Sequence, residues 1–324
     1  MTGATGFVGS AVVRELLARQ DRATAGAAAV AGSSGHRFLA RRVPAGRPAG
    51  VGEWRTADLD DPTTLRGCCD GIDTVLHLAS RIGGDPEQCR RTNLLGTEAL
   101  LAEAHRAGVR RVVMLSTAAV YGDGPHRGCR EGELTPAPVS ATSRSRLAAE
   151  RVVLAHGGTV VRPHLIHGPG DRWVLPGIAD LVRKVPAWPG GGRARLSLVA
   201  VEDLARALLA LALDDGRPLL SGRVLHAVHP EPVSVRELIG AVCGLLELPL
   251  PGTELDRDRL TRRLVAAGAD PADRRPALLT VDRWYDGDAL WRCTGVEPGP
   301  GFAHRLGEHS GWYRAALGVG ARSG

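Results

Sequence analysis

Lysine is almost missing from this chain. Lys and Arg together number 41, and Lys184 is the one lysine among them. Tyrosine is scarce too: Tyr121, Tyr285 and Tyr313 are all there are. Asp180 stands four places before Lys184, so no Tyr-x-x-x-Lys pair exists anywhere. That excludes a phenol whose acidity is tuned by a lysine one helical turn away. No stretch of 18 apolar residues occurs, which excludes a helical membrane span of ordinary length. No basic segment leads into an apolar one near the first residue, so no secretory signal is visible. Cys-x-x-Cys is absent, and Cys68, Cys69, Cys89, Cys129, Cys243 and Cys293 read as free thiols of a reducing, cytoplasmic setting. No run of five basic residues occurs, and the net charge of +6 comes from arginines scattered among 35 acids. Nucleic acid and membrane are therefore not expected partners, and no metal set stands out.

What is present is glycine at regular places. The chain opens Met-Thr-Gly-Ala-Thr-Gly-Phe-Val-Gly, with glycines at 3, 6 and 9. A helical pattern follows over 7–19, with Val8, Val12, Val13, Leu16 and Leu17 on one face. Glycines opening a helix form a phosphate cradle, because the backbone can approach closely and the helix start offers free N–H groups. A tight turn before a packed helix would use the same glycines. A parallel sheet needs a strand before such a loop, and almost nothing precedes Thr2. The expectation is that the true start lies upstream.

The 324 residues suit one large α/β unit or two fused ones. Residues 20–35 are rich in Ala, Gly and Ser and read as an exposed insertion. Strands are expected at 36–40, 54–58, 72–78 and 111–115, with a long helix over 87–107 carrying Asn93. Short strands alternating with helices argue for a doubly wound parallel sheet. Ligands then bind at the carboxyl ends of its strands. Arg41 and Arg42 end the second strand, where a carboxylate would hold the ribose of NAD and an arginine would suit a 2′-phosphate. Further on, a helix is expected over 174–184 and an exposed Arg/Asp-rich helical face over 253–276. Trp173 and Trp188 either line an apolar cleft or pack in a core. Residues 123–139 read as a mobile flap and 81–90 as a second lid.

Several segments together resemble one family. They are 2–9, Asp58-Leu59, His77-Leu78-Ala79, Asn93 with Gly96-Thr97, Val120-Tyr121-Gly122, Arg162-Pro163, 167–171 and 201–204. In that order they resemble the extended short-chain dehydrogenase/reductases of the NAD-dependent epimerase/dehydratase type. The likeness covers nearly the whole chain, out to Trp312-Tyr313-Arg314. It implies an α/β fold: a Rossmann-type domain over 1–165 and a smaller substrate-binding domain over 166–324, some of whose segments return to the sheet. It also implies cofactor contacts from Gly3, Thr5, Gly6, Phe7, Val8, Gly9, Arg41, Arg42, Asp58, Leu59, Leu78, Ala79, Ser80, Arg146, Pro163, His164 and Leu165. Thr117 takes the place of the family's catalytic Ser or Thr. The family's usual spacing puts Thr142 where its tyrosine belongs and Arg146 where its lysine belongs.

That departure changes the chemistry. A threonine hydroxyl is a far weaker acid than a phenol, and Arg146 stays charged at neutral pH. Reversible oxidation of a sugar hydroxyl suffers most; one-way reduction by NADPH suffers less, because Thr117 still offers a hydrogen bond to a carbonyl oxygen. Tyr121, His164, water or a hydroxyl of the substrate are the candidate proton sources, and His77 reads as a core residue. An intact cradle without the pair is similar to the angucyclinone reductases of antibiotic pathways. The expected function is NADPH-dependent reduction of a bulky aromatic polyketide ketone, by a monomer or homodimer, with NADH the lesser cofactor. A non-catalytic NADP-binding sensor and a sugar-nucleotide epimerase or dehydratase are the alternatives.

Overall fold

The computed structural model describes residues 1–26, 35–48, 50–213 and 221–319. Its central sheet is built from parallel strands β1 (Arg37–Ala40), β2 (Glu53–Thr56), β3 (Thr74–His77), β4 (Arg111–Leu115), β5 (Thr159–Pro163) and β6 (Val224–Ala227). Thr2 bridges in parallel to Leu39 on one side and to His77 on the other. The order across the sheet is therefore β2-β1-Thr2-β3-β4-β5-β6. Met1 and Thr2 hold the place of the expected first strand: Leu39 N–H donates to Met1 O at 2.8 Å and Thr2 N–H to Leu76 O at 3.0 Å. The inner strands are largely buried on both faces, which is why the run over 72–78 reads as nearly unbroken and apolar.

Helices cover the sheet. Helix α1 (Phe7–Gly26) packs against the later helix Val201–Leu213, and Val8, Val12, Val13 and Leu16 enter the core as their spacing requires. Helix α1 absorbs the first part of the expected insertion, through Gly26; residues 27–34 lie outside the described residues. The long helix expected over 87–107 is three consecutive pieces, Pro86–Arg90, a π-helical turn Arg91–Leu95, and α2 (Gly96–Arg106). Helix α3 (Ala141–Ala155) starts with a capping box between Ser140 and Ser143. Strand β6 and helix Val201–Leu213 belong to the sheet layer although they come late in the chain.

A second apolar cluster is centred on helices Leu175–Lys184, Val235–Leu246 and Phe302–Ala316. Trp188 lies in it, 7% exposed, with the Arg236 guanidinium 4.4 Å over its ring. Helix Arg257–Ala266 buries Leu260 and Leu264 and turns its arginines outward, as the Arg/Asp-rich pattern suggests. The expected flap at 123–139 is instead anchored. His126–Cys129 is a strand paired with Arg283–Tyr285, and Asp123 bonds Arg274 and Arg283. Its partners come from far down the chain, so local glycine and proline content hid them.

Two buried features govern stability. Glu150 of α3 is fully buried and paired with Arg162 of β5, whose Nε donates to Oε1 at 3.0 Å. Ser116 donates to the same carboxylate. Arg162 Nη1 donates to Tyr121 Oη at 2.7 Å, and Tyr121 donates to His226 Nε2 at 2.7 Å. Glu150→Gln leaves the Arg162 cation buried without its counter-charge. Urea unfolding should show a loss of about 3–5 kcal/mol. A loss under 1 kcal/mol would mean that the pair is not needed.

The second feature is neutral histidine. Burial pushes His77 down to about 3 and His167 down to about 4. An unfolded histidine titrates near ~6.5. Below that pH the unfolded chain binds protons that the folded one refuses, so stability must fall as pH drops from ~6.5 toward ~4. The slope is up to about 1.4 kcal/mol per pH unit for each histidine. Unfolding curves at pH 7, 6 and 5 check this; equal midpoints at all three would contradict it.

Candidate active site

A cleft of about 660 Å³ opens at the carboxyl ends of the strands. Gly3, Thr5, Gly6, Phe7, Val8 and Gly9 line its floor. Gly3 has φ +70°, and a Cβ there would lie 2.6 Å from Ala79 N. A Cβ on Gly9 would lie 2.0 Å from Gly3 O. Gly3 is thus required by the close approach of the chain that follows β3, and Gly9 by close packing within the loop. Gly6 is different: its nearest neighbour would be Gly3 O at 3.3 Å. Ser10 N–H to Gly6 O, 2.9 Å, is the first bond of α1, so the amides of Phe7, Val8 and Gly9 have no carbonyl a turn earlier. These features fit a pyrophosphate.

Around this floor stand Arg41, Asp58, Leu59, Leu78, Ala79, Ser80, Pro163, His164 and Leu165. Arg41 is exposed at the end of β1. Arg42 is exposed too but does not line the cleft; both arginines lie in the bend that follows β1. Asp58 Oδ1 accepts from Asp60 N–H at 3.0 Å, and Asp60 Oδ1 accepts from Thr92 Oγ1 at 2.6 Å. The π turn that carries Thr92 also carries buried Asn93. Asn93 accepts from Arg81 N–H at 2.7 Å and donates to Arg81 O at 3.0 Å and Ser145 Oγ at 2.9 Å. The local widening of the helix thus serves the cleft wall on successive residues. Thr2 Oγ1 accepts from Leu78 and Ala79 N–H and donates to His77 Nδ1 at 2.7 Å. His77 Nε2 donates to Thr97 Oγ1 at 2.9 Å. His77 is therefore a satisfied core residue, and it fixes the strand end beside the cradle.

Thr117, Thr142 and Arg146 all line the cleft. Thr117 Oγ1 accepts from Ala119 N–H at 3.1 Å, leaving its hydrogen free to donate. Thr142 Oγ1 accepts from Gly83 N–H at 2.9 Å. Arg146 is 5% exposed; its Nη2 donates to Leu115 O, and its Nε has no partner. Burial lowers it to about 10, against the pull of Glu150, so it is still a cation at neutral pH. His164 Nε2 is buried without a partner, and burial pushes the ring down to about 3. At neutral pH His164 is uncharged.

None of the three tyrosines lines the cleft. Tyr121 is buried between Arg162 and His226, and burial raises its phenol. It is not placed to be an acid there. Tyr285 bonds His126 at 3.0 Å, and Tyr313 accepts from Gly168 N–H at 2.7 Å and donates to Asp171 at 3.2 Å. Lys184 pairs with Asp180 at 3.0 Å. Trp173 does line the cleft, 66% exposed. Sequence reading missed Ser116, Ser140, Ser143, Asp60 and Thr92 as lining residues, and had Arg81 and Ile82 only as part of the expected lid. The Ser140–Ser143 capping spacing was a signal for two of them.

Residues 1–221 match the model of the NAD dependent epimerase/dehydratase family. The chain is 29% identical over 268 residues to a 2-alkyl-3-oxoalkanoate reductase of Stenotrophomonas maltophilia, covering 77% of this chain and 76% of that one. It is 32% identical over 191 residues to a 4-hydroxy-2-methyl-3-oxo-4-farnesyl-3,4-dihydroquinoline-1-oxide ketoreductase of Stigmatella aurantiaca, covering 56% of each. Among solved structures it is similar to MoeE5 in complex with UDP-glucose and NAD, with TM-score 0.70, 27% identity and 98% of both chains covered. With its Rossmann-type sheet and glycine cradle, the chain belongs to the NAD-dependent epimerase/dehydratase family of NAD(P)-dependent enzymes.

Proposed function

We propose that this chain is an NADPH-dependent ketoreductase acting on a bulky, aromatic polyketide-type ketone. One observation carries the reading: the cradle is complete, while every tyrosine and the lone lysine are engaged outside the cleft. The two reductase relatives support a ketone substrate. Arg41, exposed at the strand end and lining the cleft, supports a 2′-phosphate.

The reduced nicotinamide supplies the hydride when bound. The remaining work falls to this chain. Thr117 donates a hydrogen bond to the carbonyl oxygen and stabilises the charge that develops there. Arg146, held by Leu115 O and lining the cleft, keeps a fixed cation there. Neither is an acid at neutral pH, and the neutral His164 has its Nε2 buried. The proton comes from a hydroxyl beside the carbonyl of the substrate. Residues 166–324 mostly form the substrate-binding part, which reaches the cleft through Trp173 and Val174. The same reading has the protein work in the cytoplasm, as a monomer or homodimer.

The UDP-glucose and NAD complex of MoeE5 favours a second reading, a sugar-nucleotide enzyme with displaced groups. NADPH oxidation with hydroxylated aromatic ketones, set against UDP- and dTDP-sugars, separates the two. Turnover is expected with the ketones alone. Removing the hydroxyl beside the carbonyl should cost about 10²–10⁴-fold in kcat, the range of general acid catalysis. Undiminished reduction of the dehydroxylated ketone would sink substrate-assisted protonation. Arg41→Ala should weaken NADPH binding about 10–100-fold and leave NADH binding within about twofold. Equal losses for both cofactors would overturn the 2′-phosphate assignment.

A further inference from the structure

We propose that Thr142 is a positioning residue that holds Ile82 as a fixed apolar wall of the cleft, so that Ile82 and Trp173 select flat apolar substrates over sugar nucleotides. The proposal deepens the ketoreductase reading and rests on it only for the substrate being a ketone.

The segment 81–84 is clamped on both sides of Ile82. Before it, both backbone groups of Arg81 are bonded by the Asn93 side chain, at 2.7 and 3.0 Å. After it, Gly83 N–H donates to Thr142 Oγ1 at 2.9 Å, and Gly83 O accepts from Cys89 Sγ at 3.3 Å. Gly83 and Gly84 have φ of +71° and +89°, and nothing lies within 4 Å of a Cβ at Gly83. Glycine is there for the left-handed turn and not for space. The expected lid is thus a tethered turn. Between the tethers Ile82 is 62% exposed and lines the cleft.

Trp173 lines the same cleft and is also exposed. Its backbone is held as well: Asp171 Oδ1 accepts from Trp173 N–H at 2.8 Å. Two large apolar side chains therefore stand on fixed backbone in one cleft. Binding a flat apolar group there removes their surface from water with little ordering cost. A pyrophosphate-linked sugar gains nothing from such walls.

The tether depends on the residue that replaced the tyrosine. Threonine places an oxygen one bond from Cβ, close to the main chain, and that oxygen reaches the Gly83 amide. A tyrosine carries its oxygen at the far end of a ring and leaves that amide without this acceptor. Loss of the phenol and immobilisation of Ile82 are thus one change at position 142.

The test uses the full chain and 1,8-dihydroxyanthraquinone as a flat probe, with UDP-glucose as the polar comparator. Ile82→Ala should weaken anthraquinone binding about 5–30-fold. Thr142→Val should weaken it in the same direction and speed exchange of the Gly83 amide about 3–10-fold. Thr142→Ser, which keeps the acceptor, should restore both. In turnover, Thr142→Val should raise KM for the ketone and leave kcat within about threefold of the parent. The proposal is overturned if Ile82→Ala binds the probe as the parent does, if Gly83 exchange ignores Thr142→Val, or if UDP-glucose binds more tightly than the probe. A collapse of kcat with KM unchanged would overturn it while leaving the reductase reading intact. Probe binding with the expected mutant pattern, but no NADPH oxidation with any ketone, would fail the reductase reading alone.

Discussion

The buried pair of Glu150 and Arg162 fixes the geometry of the cleft. Glu150 lies on α3, one turn after Arg146 and two turns after Thr142; Arg162 lies on β5, one residue before the cleft-lining Pro163 and His164. Ser116, at the end of β4, joins the same carboxylate. One ionic contact thus sets the height of α3 against the ends of two strands. Removing two charges from water costs several kcal/mol each, so such a pair is tolerated only when its hydrogen bonds are complete. Here they are: the carboxylate also accepts from Ser116, and the guanidinium also serves Tyr121, whose hydrogen goes on to His226. Tyr121 is therefore committed to the scaffold.

Local chemistry was legible in the sequence where one segment builds its own function. The cradle is such a case, because Gly6 and Gly9 shape the loop and helix start locally, with Gly3 set against Leu78 and Ala79. The Thr142 and Arg146 assignments also came from linear spacing, and both side chains line the cleft. Of the two adjacent arginines, Arg41 lines the cleft and Arg42 does not, and the motif does not say which one faces in. What escaped was assembled from distant segments. Strand His126–Cys129 needs Arg283–Tyr285, and the tethers around Ile82 need Asn93, Cys89 and Thr142 from three helical segments. The break in the long helix at Arg91–Leu95 escaped as well, since a π turn follows from what Thr92 and Asn93 must reach and not from propensity.

The missing acid also alters the electrostatics. Arg146 stays cationic despite burial, and His164 is kept neutral. A carbonyl oxygen at this end meets a fixed positive charge and the free hydrogen of Thr117, with no protein acid to quench it. Such a site favours a developing oxyanion by preorganised charge, which acts strongly where water is excluded. It favours release of a proton from a secondary alcohol far less, because no base stands ready to take it. Reduction and oxidation are related by microscopic reversibility, so the asymmetry must come from the substrate. On the proposed reading, a ketone with a neighbouring phenol brings a proton of suitable acidity into the cleft, and the product alcohol keeps the phenolate beside the same cation. A sugar hydroxyl brings neither. On the ketoreductase reading, such a site suits substrates that are acidic, flat and apolar at once, which is the chemistry that the proposed Ile82 and Trp173 walls would receive.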